Sequence, residues 1–153
     1  MVVAITPVKL KEIAGNLDMG MHCFYHLLTG VLETYPDELR MMGDTNDPIW
    51  KDVKKKLKKN AKEYLAFKAM DSHESMKVIR VFIANIDDDN IRLRFEDAIN
   101  FKKPFQNFKQ LLNNYMDLRE QWFVYKDAQY IAHVQEQLDY FNRREAHEID
   151  GVE

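Results

Sequence analysis

Between Asp44 and Asp150 the chain runs 107 residues without a glycine, while Gly15, Gly20, Gly30 and Gly43 all fall in the first third. Turns, bulges and phosphate-cradling loops draw on glycine, so the glycine-free stretch predicts helix almost throughout. Glycine-rich nucleotide loops have no place to stand there. No serine is flanked by glycines either, which removes the sharp elbow that a nucleophilic serine needs.

The opening third is mixed. Thr6-Pro7 reads as an N-cap with proline at the first helical position, and Val8, Ile13, Ala14 and Leu17 fall near one face of a helix that Gly20 ends. Two β-prone runs, Met21 to Leu28 and Val31 to Tyr35, flank Thr29-Gly30 and predict a hairpin. An isolated hairpin is marginal in water, so it must lie on helices. Asp47-Pro48 repeats the cap-plus-proline start, and Ile49, Val53 and Leu57 form the apolar stripe of a helix ending near Asn60. Tyr64 to Met70 suits either an extension of that helix or a third strand, with the strand preferred.

Asp71 and Glu74 have capping-box spacing and open a helix with Met76, Ile79, Phe82, Ile83 and Ile86 inward. The acidic run Asp87-Asp88-Asp89 suits a helix start, where the dipole favours negative charge. Pro104 starts another helix, with Phe105, Phe108, Leu111, Leu112 and Tyr115 on one stripe. Further on, Leu118, Trp122 and Tyr125 share a face, whereas Ile131, Val134, Leu138 and Phe141 share one rotated by about half a turn. One straight helix cannot bury both sets in the same core, so a break is expected near Lys126-Asp127. The pattern predicts a mostly helical α+β fold, five to seven helices packed on a small antiparallel hairpin or three-stranded sheet. A single domain over 1–141 and a polar, frayed tail over 142–153 complete the expectation.

Net charge is -3, which gives no global pull toward nucleic acid or an anionic membrane. Seven lysines stand between Lys51 and Lys62 against Asp52 alone. That run holds no arginine and no aromatic, so a solvated helix face is preferred to a nucleic-acid site. Mean hydropathy is -0.50 and no apolar run approaches the ~20 residues that cross a bilayer. The N-terminus carries no export signal, and a lone Cys23 fits a reducing compartment. A cytoplasmic protein without a membrane partner is expected.

Candidate chemistry is sparse. Cys23 has His22 beside it and His26 three residues on, but on a strand both imidazoles project to the face opposite the thiol. His22 and His26 themselves lie about 13 Å apart on a strand, too far to share one metal ion. His73 belongs to a helix-opening turn, and His133 and His147 read as surface residues. Asp87-Asp88-Asp89-Asn90 lacks the glycine and closing glutamate of a calcium loop. No catalytic residue, cofactor or metal site is assigned. What remains is aromatic: Phe105, Phe108, Tyr115, Trp122, Phe123 and Tyr125, interleaved with Lys102, Lys103, Lys109, Arg119 and Lys126. Phe123 and Tyr125 point to different faces of one helix, so at least one should reach the surface or a partner.

The runs Asp71-Ser72-His73-Glu74-Ser75-Met76, Arg94-Phe95-Glu96-Asp97-Ala98, Lys103-Pro104-Phe105-Gln106-Asn107-Phe108-Lys109 and Arg119-Glu120-Gln121-Trp122-Phe123 resemble a bacterial family known as uncharacterised protein family 0158. The resemblance extends from the N-terminal helix and hairpin to about Phe141. It is most specific at Pro104-Phe105, Phe108-Lys109 and Trp122-Phe123, and leaves the lysine-rich segment and the acidic tail unmatched. It implies a small bacterial cytoplasmic protein with no assigned activity.

Three functions are weighed on these residues. The preferred one is a non-enzymatic interaction module, engaging a protein partner or a second copy through Lys109, Arg119, Phe123 and Tyr125. The first alternative is a small enzyme or ligand binder, with a pocket between hairpin and helices lined by His22, Tyr25, His26 and nearby carboxylates. The second is nucleic-acid binding through the Lys51 to Lys62 helix.

Overall fold

Caps and prolines set the helix starts. The computed structural model describes residues 2–38 and 47–152, with side chains as far as residue 147. Thr6 Oγ1 accepts the Lys9 N–H at 3.2 Å, and Pro7 takes the first position of α1 (Pro7–Asp18). A threonine cap satisfies an otherwise orphaned amide, and proline has no N–H to lose there. Asp47 and Pro48 play the same parts for α2 (Pro48–Lys59). Asp71 and Glu74 close a reciprocal capping box on α3 (Ser72–Ala84). Asp88 accepts from the Asn90 and Ile91 N–H groups to open α4 (Asp89–Ile99). Pro104 opens α5 (Pro104–Leu112), and α6 spans Met116–Val152.

Three strands lie between these helices: β1 (Met21–His26), β2 (Leu32–Pro36) and β3 (Tyr64–Phe67), in the order β2-β1-β3 and antiparallel throughout. The fold is α+β and mostly helical, as the glycine distribution predicts. A single 3₁₀ turn, Ala61–Glu63, separates α2 from β3, so the ambiguous Tyr64 segment is a strand. Among the described residues no helix is long and apolar enough to cross a membrane.

The chain divides into two compact units, Met1–Ala69 with Tyr130–Glu153, and Met70–Gln129. In the first, register places Cys23 opposite Thr34 and Phe67, and Tyr25 opposite Leu32 and Leu65. Cys23, Tyr25 and Phe67 are buried, as are Leu10, Ile13, Ala14 and Leu17 of α1. Val8, expected on that inner face, is 79% exposed, and Leu10 takes the place instead. A position that starts on the first helical turn is poorly fixed by a four-residue stripe. On the opposite face of the sheet Tyr35 stacks on Phe24 at 5.8 Å, and Lys54 of α2 reaches over the Tyr35 ring at 5.3 Å. Of the expected α2 stripe Leu57 is buried and Val53 half-buried, while Ile49 is exposed.

The C-terminal part of α6 contributes Tyr130, Val134 and Leu138 to this unit's buried residues. It is also tied by polar contacts. The Asn142 carboxamide accepts from Val3 N–H at 2.8 Å and donates to Val3 C=O at 2.9 Å, which satisfies both backbone groups of one residue. Gln137 grips Lys68 in the same manner, at 2.8 and 2.9 Å, and His133 meets the Lys68 carbonyl at 3.0 Å. His133 is therefore a half-buried hydrogen-bonding residue rather than a surface one.

In the second unit, Ile79, Phe82, Ile83, Ile86, Phe95, Phe108, Leu112 and Trp122 form one buried cluster. Aromatic edges meet faces within it: Phe108 and Trp122 are 4.9 Å apart at 82°, Phe95 and Phe108 5.7 Å at 63°. Such pairs add to simple burial because the ring edge is positive and the face negative.

Helix α6 is continuous through Lys126 and Asp127, so the expected break does not occur. Its two apolar stripes are real, but they bury in different units: Trp122 in the cluster just described, and Tyr130, Val134 and Leu138 in the other. Two cores remove the conflict that a single core would impose. No proline or glycine interrupts the helix before Gly151.

Candidate functional site

Six aromatics near the C-terminal helices are sorted by where the helical turn carries them. Phe108 and Trp122 are core, Phe105 and Tyr115 are half-buried against it, and the Arg94 guanidinium donates to the Tyr115 hydroxyl. Tyr125 is half-buried, 5.7 Å from Phe82 and 6.3 Å from Trp122. Phe123 is 41% exposed, with the Arg119 guanidinium 4.9 Å and the Lys126 ammonium 5.5 Å from its ring centre. Arginine and lysine one turn before and after an aromatic are drawn to its electron-rich face. Two residues along a helix are about 200° apart, so Tyr125 and Phe123 serve opposite sides of α6. Of the four expected contact residues the structure thus brings together Arg119 and Phe123, sets Tyr125 apart, and leaves Lys109 exposed on α5.

On the Tyr125 side lies an open hollow of about 410 Å³. Phe82, Ile86, Ile91, Leu118 and the Tyr125 ring give it an apolar floor, and Asn85, Asp87, Asp88 and Gln121 stand with them around it. The α3–α4 connection supplies most of the polar groups. Asp88 is held as the N-cap of α4, with Oδ1 2.9 Å from Asn90 N and 3.0 Å from Ile91 N. Arg92 donates to the Ile86 carbonyl at 2.8 Å and to the Asp89 carboxylate. Asp89 is thus neutralised, whereas Asp87 is exposed and has no ion-pair partner among the described residues. The rim is therefore net negative above an apolar floor.

Sequence reasoning placed Asp88 at a helix start but missed the hollow. The spacing of Leu118, Gln121 and Tyr125 is the signal that was available: a polar residue within an i, i+3, i+7 apolar stripe sits at the edge of the core.

The hairpin histidines do not converge. His22 Nε2 is 3.9 Å from Asp37 Oδ2, its ring 4.7 Å from Tyr35. His26 closes the β1–β2 turn: its Nδ1 accepts from Leu28 and Thr29 N–H at 3.2 and 3.1 Å, while Nε2 is 3.5 Å from Glu63. Tyr25 projects to the other face with Cys23, so the pocket expected from His22, Tyr25 and His26 together is not formed. Burial pushes the Cys23 thiol up to about 12, aided by the Glu12 charge and opposed by Lys9. It is a protonated, packed thiol. Among the described residues no three His, Cys, Asp or Glu side chains are grouped to hold a metal ion.

The lysines of α2 divide. Lys56 Nζ is 2.8 Å from Glu33 Oε1 and Lys54 3.5 Å from Glu38 Oε1. The Glu33 hydrogen bond and charge raise the Lys56 pKa. Lys51, Lys55, Lys58 and Lys59 are exposed.

Residues 33–148 match the sequence model of an uncharacterised protein family, UPF0158. The chain belongs to that family. The match begins in β2, leaving α1 and β1 ahead of it, and it includes the lysine-rich helix together with every residue of the Tyr125 hollow. No curated protein and no solved structure matches.

Proposed function

We propose that this UPF0158 protein is a non-enzymatic interaction module whose second unit takes up a partner segment carrying an apolar side chain beside a lysine or arginine. The observation that carries this reading is the hollow itself, an apolar floor under Asp87 and Asp88 with Tyr125 at its side. An apolar anchor fills the floor and removes the half-buried surfaces of Ile91, Leu118 and Tyr125 from water. The adjacent cation meets Asp87, whose carboxylate is free to accept it. Phe123, with Arg119 and Lys126 beside its ring, lies on the other side of α6 and forms a separate, lesser contact.

The test uses fluorescent peptides with a central leucine between arginines, and matched peptides with glutamates in place of the arginines. Binding of the basic peptide alone, weakened about tenfold or more by Asp87→Lys and unaffected by Phe123→Ala, supports the assignment. Equal binding of both peptides, or no response to Asp87→Lys in a chain with an unchanged melting temperature, refutes it.

A further inference from the structure

The first unit holds a second hollow, of about 480 Å³, between the start of α1 and the β1–β2 turn. Tyr25 lines it while being only 8% exposed, and its hydroxyl has no hydrogen-bond partner among the described residues. No buried side-chain oxygen or nitrogen among the described residues lacks a partner, so the Tyr25 oxygen reaches solvent through the hollow, where its proton is open to an accepting occupant in place of water. Gly30 makes the room: at φ +73°, a Cβ built on it would stand 3.3 Å from the Tyr25 oxygen. Thr6 and Thr29 also line the hollow. Each hydroxyl oxygen already accepts a backbone N–H, from Lys9 at 3.2 Å and Val31 at 3.3 Å, and each keeps its own proton to donate.

Lys9 and Glu12 complete the wall, their charged atoms 3.3 Å apart on adjacent turns of α1. Three hydroxyl donors and an ammonium ask for an anionic group, and Glu12 asks for a cation close beside it. A zwitterion laid antiparallel on the Lys9–Glu12 pair meets both demands. Its carboxylate faces Lys9 and the Tyr25 hydroxyl, and its ammonium faces Glu12. In an α-amino acid the two charges hang on one carbon, a separation on the scale of the Lys9–Glu12 gap. Ile5, Val31 and Leu32 leave apolar wall for an uncharged side chain. We propose that the hollow between α1 and the β1–β2 turn, lined by Lys9, Glu12 and Tyr25, binds a free α-amino acid with an apolar side chain.

The experiment titrates the isotope-labelled full chain with L-leucine and follows backbone amide shifts. Two controls each lack one charge: 4-methylpentanoate, without the ammonium, and isopentylamine, without the carboxylate. Saturable shifts centred on Thr29, Gly30 and Val31 are expected at millimolar L-leucine. Each control should bind about tenfold more weakly or worse. Tyr25→Phe, which removes one oxygen from an otherwise intact side chain, should weaken L-leucine about tenfold without lowering the melting temperature. Glu12→Gln should weaken L-leucine but not 4-methylpentanoate. No saturable shift, equal binding of leucine and both controls, or equal affinity in wild type and Tyr25→Phe would each overturn the proposal. The last of these means that the phenol is served by water alone.

Discussion

Cys23 offers the sharpest quantitative handle on the hairpin core. Its thiol is raised from 9.0 to about 12, first by burial and second by the Glu12 carboxylate. Only the thiolate attacks an alkylating reagent. At pH 8 that rise makes the thiolate about a thousandfold scarcer than in the unfolded chain. Burial of all but 1% of the residue slows labelling in the same direction, so protection on the order of a thousandfold is expected. The assay compares iodoacetamide labelling of the native chain with that of the chain in denaturant at the same pH, read by mass spectrometry. Stability should follow the same shift. Below pH 9 the thiol is protonated in both states and its contribution is complete. Between pH 9 and 12 the unfolded chain releases a proton that the folded chain retains, so stability falls by on the order of 4 kcal/mol across that window. Native labelling within about tenfold of the denatured rate at pH 8 would refute both the burial and the exclusion of Cys23 as a nucleophile.

Trp122→Ala removes the ring that Phe82 and Phe108 pack against and should destabilise by about 3–5 kcal/mol, a fall of roughly 10 °C in melting temperature by calorimetry. Asn142→Ala leaves both Val3 backbone groups unpaired and should cost about 1–3 kcal/mol in urea unfolding, with faster amide exchange at Val3. Asp71→Ala takes away one half of the α3 capping box and should cost about 1 kcal/mol, whereas Asp71→Ser should restore most of it.

The parts of the fold that were legible in the sequence are those set by local chemistry. Thr6-Pro7, Asp47-Pro48, Asp71 with Glu74, and Pro104 each satisfy or remove an orphan amide, and each begins a helix where that logic puts it. The hairpin around Thr29-Gly30 follows from turn chemistry in the same way. What was not legible depends on contacts distant in sequence. The phase break in α6 was visible as a pattern, but whether it meant a kink or a helix buried in two units could not be read from periodicity, which carries no account of how many cores there are. His133 looked like a surface residue because its partner, the Lys68 carbonyl, is 65 positions away. Among the candidate contacts, helical geometry correctly separated Phe123 from Tyr125. It could not show that Asp87 is left unpaired while Arg92 engages Asp89, since both aspartates flank the same cap.

The central claim, that the Tyr125 hollow receives an apolar side chain beside a cation, is tested most directly by intermolecular nuclear Overhauser effects between an Arg-Leu-Arg peptide and the chain's methyl groups. The account predicts cross-peaks from the peptide leucine to the Ile91 and Leu118 methyls, lost in Asp87→Lys. Cross-peaks confined to the exposed Phe123 side of α6, or none to either methyl at saturating peptide, would contradict it.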